Sequence, residues 1–397
     1  MKEYLMEFEK GDCTMDKTNT EINKKLSQSD SIEEFYASTV ILLTGATGFV
    51  GKYLLEKFMR IRQINAMNNA FESIKAEHGS SIFSKLHPVE GDVNLPDLGL
   101  SLEDRLMLID KVNIVFHIAA TLNFNQPLDD AIDTNTKGTS RVIDLCKLLK
   151  HVISYIHVST AYKETILKTH PNTYTFSKNL AEQIVFNDCK SFPSAVVRPS
   201  IIGASLEQPC PGWLDNVQGI TAVSLQIGKG NIKALPVKKD AKLDLVPVDY
   251  VVDTVLCAAW HVTLHRDNEV YNCTSNADPL RWDQLINIYL KCSVETPMND
   301  VLWYPYSKMI DNEIVYGILN MFLNVLPAFV MDIFLKVRGK KPIMMKINKR
   351  FNKLLTTLIY FTMREWTFHR DNVCKMAEDI KVLKDSSKVN LDLRNMD

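Results

Sequence analysis

The stretch Thr39-Val-Ile-Leu-Leu-Thr-Gly-Ala-Thr-Gly-Phe-Val-Gly51 decides the fold. A short β-rich apolar run is followed by a glycine-punctuated turn. A helix pattern then runs through Leu54, Leu55, Phe58 and Met59. Gly45 permits the tight turn, Gly48 lets the backbone approach a pyrophosphate, and Gly51 lets the helix pack closely on the sheet. The phosphate would rest on free N–H groups at the helix N-terminus. Glycines alone are equally compatible with a ligand-free turn. Their position between a strand and an amphipathic helix favours a dinucleotide loop made of Thr44, Gly45, Ala46, Thr47, Gly48, Phe49, Val50 and Gly51.

Outward from this loop, apolar runs at Ile114–Ile118, Ile153–Val158 and Ala195–Val197 alternate with helical stretches such as Gly138–Leu149 and Phe176–Phe186. Later runs, Leu243–Val246 and Glu269–Cys273, extend the alternation. This pattern predicts an α/β, Rossmann-type doubly wound parallel sheet with helices on both faces. Residues 1–38 read as a loose polar arm, 39–295 as the nucleotide-binding domain with substrate-binding insertions, and 296–397 as a smaller, mainly helical, hydrophobic domain.

The 397 residues are 46% hydrophobic and 23% charged, a globular balance. A net charge of −1 gives no field for nucleic acid. The eight cysteines form no C-x-x-C pair, so neither zinc nor a redox dithiol is expected, and a reducing compartment is. The N-terminus, MKEYLMEFEKGD, lacks the apolar core of a secretory signal.

Y-x-x-x-K occurs three times, at Tyr53/Lys57, Tyr174/Lys178 and Tyr304/Lys308. The first reads as a surface pair on the helix after the glycine loop. The third straddles Pro305, far from the nucleotide-binding half. Tyr174/Lys178 comes 14 residues after Thr160, where a buried strand ends. Ligands bind at that end of parallel strands. A helix would set Tyr174 and Lys178 one turn apart on one face, where an ammonium would lower the phenol pKa and make it a usable proton donor. A hydroxyl from Ser159 or Thr160 would hold a carbonyl oxygen.

Together these residues resemble extended short-chain dehydrogenase/reductases and, more narrowly, alcohol-forming fatty acyl-CoA reductases. The narrower likeness rests on TGATGFVGK (44–52), VEGDV (89–93), VFHIAATLNF (115–124), NTKGT (135–139), HVSTAY (157–162), NTYTFSKNLAE (172–182), VVRPSII (196–202), PGWLDN (211–216), VPVDYVV (246–252), YNCTS (271–275), WYP (303–305) and MREWTF (363–368). It covers about residues 39–396. The resemblance implies NADPH-dependent, two-step reduction of long-chain fatty acyl-CoA to a primary alcohol through an aldehyde, with release of CoA. It implies Tyr174 as proton donor, Lys178 on the nicotinamide ribose, and Thr160 with Ser159 on the substrate oxygen. Asn135 matches the family asparagine near the site, though it would serve equally as a helix cap. Asp92 and Val93 would meet the adenine, where Asp92 also reads as a turn acid. Ala119, Ala120 and Thr121 would lie along the cofactor's middle, and Pro199, Ser200 and Ile201 near the nicotinamide.

Three departures stand out. After the glycine-loop helix the family has a second strand ending in basic residues near the cofactor's 2′-phosphate. Here Arg60-Ile-Arg-Gln-Ile-Asn-Ala-Met-Asn-Asn69 runs into a polar stretch, with Arg60 or Arg62 as imperfect substitutes. The segment between HVSTAY and NTYTFSK is short, and the chain ends at NLDLRNMD where the family continues. These features also admit a non-catalytic relative that binds acyl-CoA or protein. A reductase of a steroid or nucleotide sugar is the third reading.

Ile314–Met331 is 18 residues without a charge, long enough for a membrane candidate, although Asn320, Asn324 and Pro327 interrupt it. A basic cluster from Lys336 to Lys353 and a second apolar run, Leu354–Met363, follow. The expectation is membrane association through residues 314–363, as a hairpin in one leaflet or a lipid-facing groove, on the cytosolic side of the endoplasmic reticulum or peroxisome. A buried helix pair is the soluble alternative.

Overall fold

The computed structural model describes residues 2–7, 29–37, 39–61, 86–124, 126–162, 172–265, 268–275 and 280–392. In chain order, β1 (Lys2–Glu7) and α1 (Ile32–Tyr36) precede β2 (Val40–Thr44) and α2 (Phe49–Ile61). Then come β3 (Leu86–Glu90), α3 (Leu102–Lys111) and β4 (Ile114–His117). A helix follows in three parts: α4 (Leu128–Ala131), a π turn (Ile132–Lys137) and α5 (Gly138–Cys146). β5 (Ser154–Val158), α6 (Thr173–Asp188), β6 (Ser194–Pro199) and β7 (Ile201–Gly203) come next. α7 (Gly219–Gly228), β8 (Ala234–Pro236), β9 (Leu245–Pro247), α8 (Val248–His265) and β10 (Glu269–Cys273) lead to α9 (Trp282–Glu295) and β11 (Lys308–Ile310). The last helices are α10 (Glu313–Asn320), continued by a π turn (Met321–Val325) into α11 (Leu326–Val337), then α12 (Met344–Thr362) and α13 (Asp371–Ile380).

The chain divides into two units, and the division is discontinuous. Unit 1 holds residues 1–215, 246–276 and 368–397; unit 2 holds 216–245 and 277–367. A single cut near residue 295 was expected; instead the last thirty residues return to the nucleotide-binding unit.

Unit 1 is built on a seven-stranded sheet in the order β10-β6-β5-β4-β2-β1-β3. Strands β2, β4, β5, β6 and β10 pair in parallel, the doubly wound arrangement expected. Ile41 and Leu43 of β2 enter one apolar cluster and Leu42 the opposite one. Both faces are therefore buried, which is why these strands read as continuous apolar runs.

The loose-arm expectation for residues 1–38 is corrected at both described ends of that segment. β1 inserts antiparallel between β2 and β3, with Tyr4 opposite Leu43 and Lys2 opposite Glu90. It occupies the sheet position that the missing second strand would leave open. α1 is capped by Ser31, whose side chain accepts the Glu34 N–H at 3.0 Å, and buries Ile32, Phe35 and Tyr36. The Tyr36 hydroxyl donates to the Leu256 carbonyl at 2.8 Å, fixing α1 on α8. Arg62 and the polar stretch after it, like the segment 163–171, lie outside the described residues.

In unit 2, β8 pairs in parallel with β11, and α10–α11 and α12 form a helical hairpin. The hairpin turn is held by Asp332, which accepts the N–H groups of Met344 and Met345 at 2.8 and 2.9 Å.

Candidate active site

The glycine loop has the geometry its spacing requires. Gly45 adopts φ +73°, and a Cβ there would lie 2.6 Å from the Ala119 nitrogen. A Cβ on Gly51 would lie 2.2 Å from the Gly45 carbonyl oxygen. The first turn of α2 therefore packs directly on the turn that precedes it. Ala46 is buried, whereas Thr47 and Gly48 are exposed at the mouth, ahead of the unpaired N–H groups that open α2. Phe49 stacks on Trp213 at 5.6 Å, tying the PGWLDN segment to the loop.

Behind the loop, the Thr44 hydroxyl is 2.7 Å from His117 Nδ1, and His117 Nε2 is 3.1 Å from the Thr139 hydroxyl. The Ala119 N–H reaches the Thr44 hydroxyl at 3.3 Å. This chain of polar atoms joins the ends of β2 and β4 to α5. Burial pushes the His117 pKa down to about 3, helped by the charge of Lys178, so its imidazole stays neutral.

Asn135 lies within the π turn and is buried, with its backbone already helical, so it is not a helix cap. Its Oδ1 accepts the Thr121 N–H at 2.9 Å, and its Nδ2 donates to the Ser177 hydroxyl at 2.9 Å. Asn135 thereby fixes the Ala119–Ala120–Thr121 segment against α6. A π turn widens the helix locally and recurs at functional positions.

α6 is capped by Asn172, which accepts the Thr175 N–H at 2.9 Å, and this sets where Tyr174 and Lys178 fall. Lys178 is fully buried, with Nζ 3.2 Å from His157 Nε2, and burial pushes its pKa down to about 7. Tyr174 keeps part of its surface exposed and meets Phe124 edge to face at 5.5 Å. Its phenol pKa is raised, by burial first and then by Glu182. This reverses the expected lowering, because burial outweighs any help from a neighbouring charge. Glu182 itself is paired with Arg198 through two bonds of 2.9 and 2.6 Å.

At the ends of β5 and β6 two buried hydroxyls, Ser159 Oγ and Ser200 Oγ, have no hydrogen-bond partner. An unpaired buried hydroxyl costs about 1–3 kcal/mol, and two of them stand at this one sheet edge. The Thr160 hydroxyl oxygen accepts the Tyr162 N–H at 3.3 Å, which orients it and leaves its own proton to donate. The Ala161 N–H bonds the Pro199 carbonyl at 2.9 Å, holding 159–161 beside Pro199, Ser200 and Ile201. Asp92 closes its own turn, accepting both Asn94 nitrogens at 2.9 Å. Val93 is packed into the core against Gly138, with its carbonyl taken by Arg141 at 2.7 Å.

Sequence reasoning missed His117, His157, Thr139 and Ser177. The signal was available, because His117 and His157 are polar interruptions of apolar strands and pair in register across β4 and β5. The expectation of a surface pair at Tyr53/Lys57 is also corrected. Both are buried, and Lys57 Nζ is 2.9 Å from Asp253 Oδ1 on α8. Tyr304 is exposed.

Comparison with known proteins bears directly on this site. An NAD-binding family model described as male sterility protein matches residues 43–255, and a second model of the same description matches 323–397. Fatty acyl-CoA reductase 1 of Rattus norvegicus is 32% identical over 92% of this chain and 83% of its own length. The chain belongs to the fatty acyl-CoA reductase family. Fatty acyl-CoA reductase 1 of Homo sapiens (31% identical, 92% and 83% covered) and fatty acyl-CoA reductase wat of Drosophila melanogaster (30%, 92% and 82%) are similar over the same span. The fold matches the terminal R domain of the myxalamid biosynthetic pathway, with a TM-score of 0.59 at 20% identity over 85% of this chain and 84% of that one. It also matches the reductase domain of a non-ribosomal peptide synthetase from Mycobacterium tuberculosis, with a TM-score of 0.55 at 17% identity and 94% and 92% covered. This fatty acyl-CoA reductase family member is thus an oxidoreductase with a nicotinamide-binding domain, and the glycine cradle and orphan hydroxyls fit such a cofactor.

Proposed function

We propose that the protein reduces long-chain fatty acyl-CoA to a primary fatty alcohol, using NADPH and passing through an aldehyde with release of CoA. The carrying observation is one sheet edge that combines a glycine cradle, the unpaired Ser159 hydroxyl and the Tyr174/Lys178 pair. When bound, the nicotinamide supplies one hydride per reduction, and two reductions take a thioester to an alcohol. Thr160 and Ser159, each with a hydroxyl proton to give, donate hydrogen bonds to the thioester or aldehyde oxygen. Tyr174 delivers its proton to that oxygen as charge develops there. Lys178 holds the ribose hydroxyls and, once a ligand draws its amine off His157, supports loss of the phenol proton. Asn135 positions α6 and the Thr121 segment against one another.

The choice of NADPH over NADH is supported by the backbone register of β1. In Rossmann sheets the strand beside the glycine-loop strand meets the adenosine ribose at the sheet's C-terminal edge. Because β1 runs antiparallel, its first residue in the ladder, Lys2, stands at that edge. Arg60, one of the two arginines expected to substitute, is held by Glu56 one turn away. Lys2→Ala is expected to weaken NADPH binding about tenfold and leave NADH unchanged, measured by tryptophan fluorescence quenching.

The apolar helix Glu313–Val337 supports membrane association, with mean hydropathy 1.9 over its best window and only 6% of that window buried. Its narrow protein-facing side carries Tyr316 and the buried Asn324, which accepts the Lys233 N–H at 2.8 Å. A helix tied along one side suits a surface-lying hairpin better than a span. The basic residues after it favour a cytosolic, anionic face of the endoplasmic reticulum or peroxisome.

The reaction is tested by incubating the purified protein with NADPH and palmitoyl-CoA. Expected are palmitoyl-CoA-dependent NADPH oxidation and hexadecanol by mass spectrometry, both reduced at least about 100-fold in Tyr174→Phe. A folded, NADPH-binding protein without turnover across acyl lengths would sink the proposal.

A further inference from the structure

The proposed chemistry leaves unused a second cluster of reactive side chains, at the C-terminal end of α8. His261 and His265 stand one helical turn apart there, and Asp379 reaches them from α13. One ligand atom from each lies within 4.8 Å of the other two. His261 is buried, Asp379 is half-buried and His265 is exposed. His261 Nε2 is 2.9 Å from Asp379 Oδ2, and its Nδ1 is 2.7 Å from the Tyr271 hydroxyl on β10. The His265 ring stands edge-on to His261 with centroids 4.8 Å apart.

Two histidines at i and i+4 present both imidazoles on one side of a helix, the spacing helical zinc sites use. A carboxylate from a second element completes a three-ligand set of the kind zinc takes while keeping a fourth position open. We propose that His261, His265 and Asp379 bind a zinc-class divalent transition ion that staples α13, and with it the returning C-terminal segment, to the end of α8.

The surroundings agree with this role. A metal-binding histidine needs its other ring nitrogen hydrogen-bonded, and Tyr271 already serves that nitrogen in His261. The hydroxyl suits either tautomer, accepting from Nδ1–H when Nε2 binds metal and donating when Nε2–H bonds Asp379. Ligand atoms about 2.0–2.1 Å from a tetrahedral ion stand about 3.3 Å apart. The present spread therefore closes by rotation of His265 and Asp379, the two side chains with room to move.

The test uses the full chain, stripped with a chelator and titrated with zinc by calorimetry and with cobalt by visible absorption. Cobalt separates this site from the exposed cysteines, Cys292 and Cys374, because thiolate coordination adds charge-transfer bands that His and Asp do not. Expected are one equivalent bound, d–d bands without thiolate bands, and a rise in Tm with zinc. His265→Ala, at an exposed position that folding does not depend on, weakens binding at least about tenfold and abolishes the Tm rise. Tyr271→Phe weakens it by about tenfold through the ring it orients. Absence of stoichiometric binding, or equal binding by His265→Ala, would overturn the proposal and leave only a His261–Asp379 hydrogen bond.

Discussion

Lys178 turns the candidate site into something a titration can see. Its pKa is lowered from 10.5 to about 7 by burial. Between those values the unfolded chain holds a proton that the folded one has released, so this lysine makes stability rise with pH. The slope approaches about 1.4 kcal/mol per pH unit inside that window. Buried tyrosines and cysteines with raised pKa values oppose it at the alkaline end, so the comparison to make is with Lys178→Met. The cofactor-free variant is expected to lose the rising limb in denaturant titrations from pH 7 to 9.5; identical limbs would place the lysine charge elsewhere. Gly45 makes a sharper demand. Gly45→Ala sets a Cβ against the Ala119 backbone at φ +73°, at a cost of roughly 3 kcal/mol or more. A lower denaturation midpoint together with lost NADPH binding is expected. Both residues were legible because glycine geometry and a one-turn Tyr–Lys spacing are local. Asp253 was not, since what makes it matter is a partner 196 residues away.

At the scale of elements, β1 carries the largest difference between sequence and structure. Six residues, half of them charged, give little periodicity to read. Their strand character comes from two ladders made across long separations, with β2 and with β3. The parallel strands were legible for the opposite reason: burial on both faces makes them uniformly apolar. Because β3 is joined to the sheet through β1 alone, removing residues 1–7 detaches β3 and the Asp92 turn that follows it. With each ladder bond worth about 0.5–1.5 kcal/mol net, the loss is expected to lower Tm by roughly 10 °C or more and weaken NADPH binding. Circular dichroism melts and fluorescence titration of the shortened chain measure both. An unchanged melt would show that β2 and β3 do not need the strand between them.

At the scale of the whole molecule, the discontinuous units could not be read from composition, because segments 216–245 and 368–397 change partner without a change in character. The apolar stretch of unit 2 was legible as an uncharged run and was expected to face lipid, with a buried helix pair as the alternative. Ile318, Phe322, Phe329, Ile333 and Phe334 are all exposed, a contiguous apolar helix face that water disfavours. Eight basic residues from Lys336 to Lys353 follow it with no acid among them, and each near an anionic surface adds about 1 kcal/mol. Insertion of the apolar face and attraction of the basic flank separate experimentally. Phe322→Glu with Phe329→Glu is expected to abolish sedimentation with vesicles of any composition. Lys349→Glu with Lys353→Glu is expected to abolish it only where phosphatidylserine is present at low salt. Both pairs lie in unit 2, so NADPH affinity serves as the control for folding. Were the double phenylalanine variant still to bind neutral vesicles, the exposed helix would have to find its cover in protein rather than lipid.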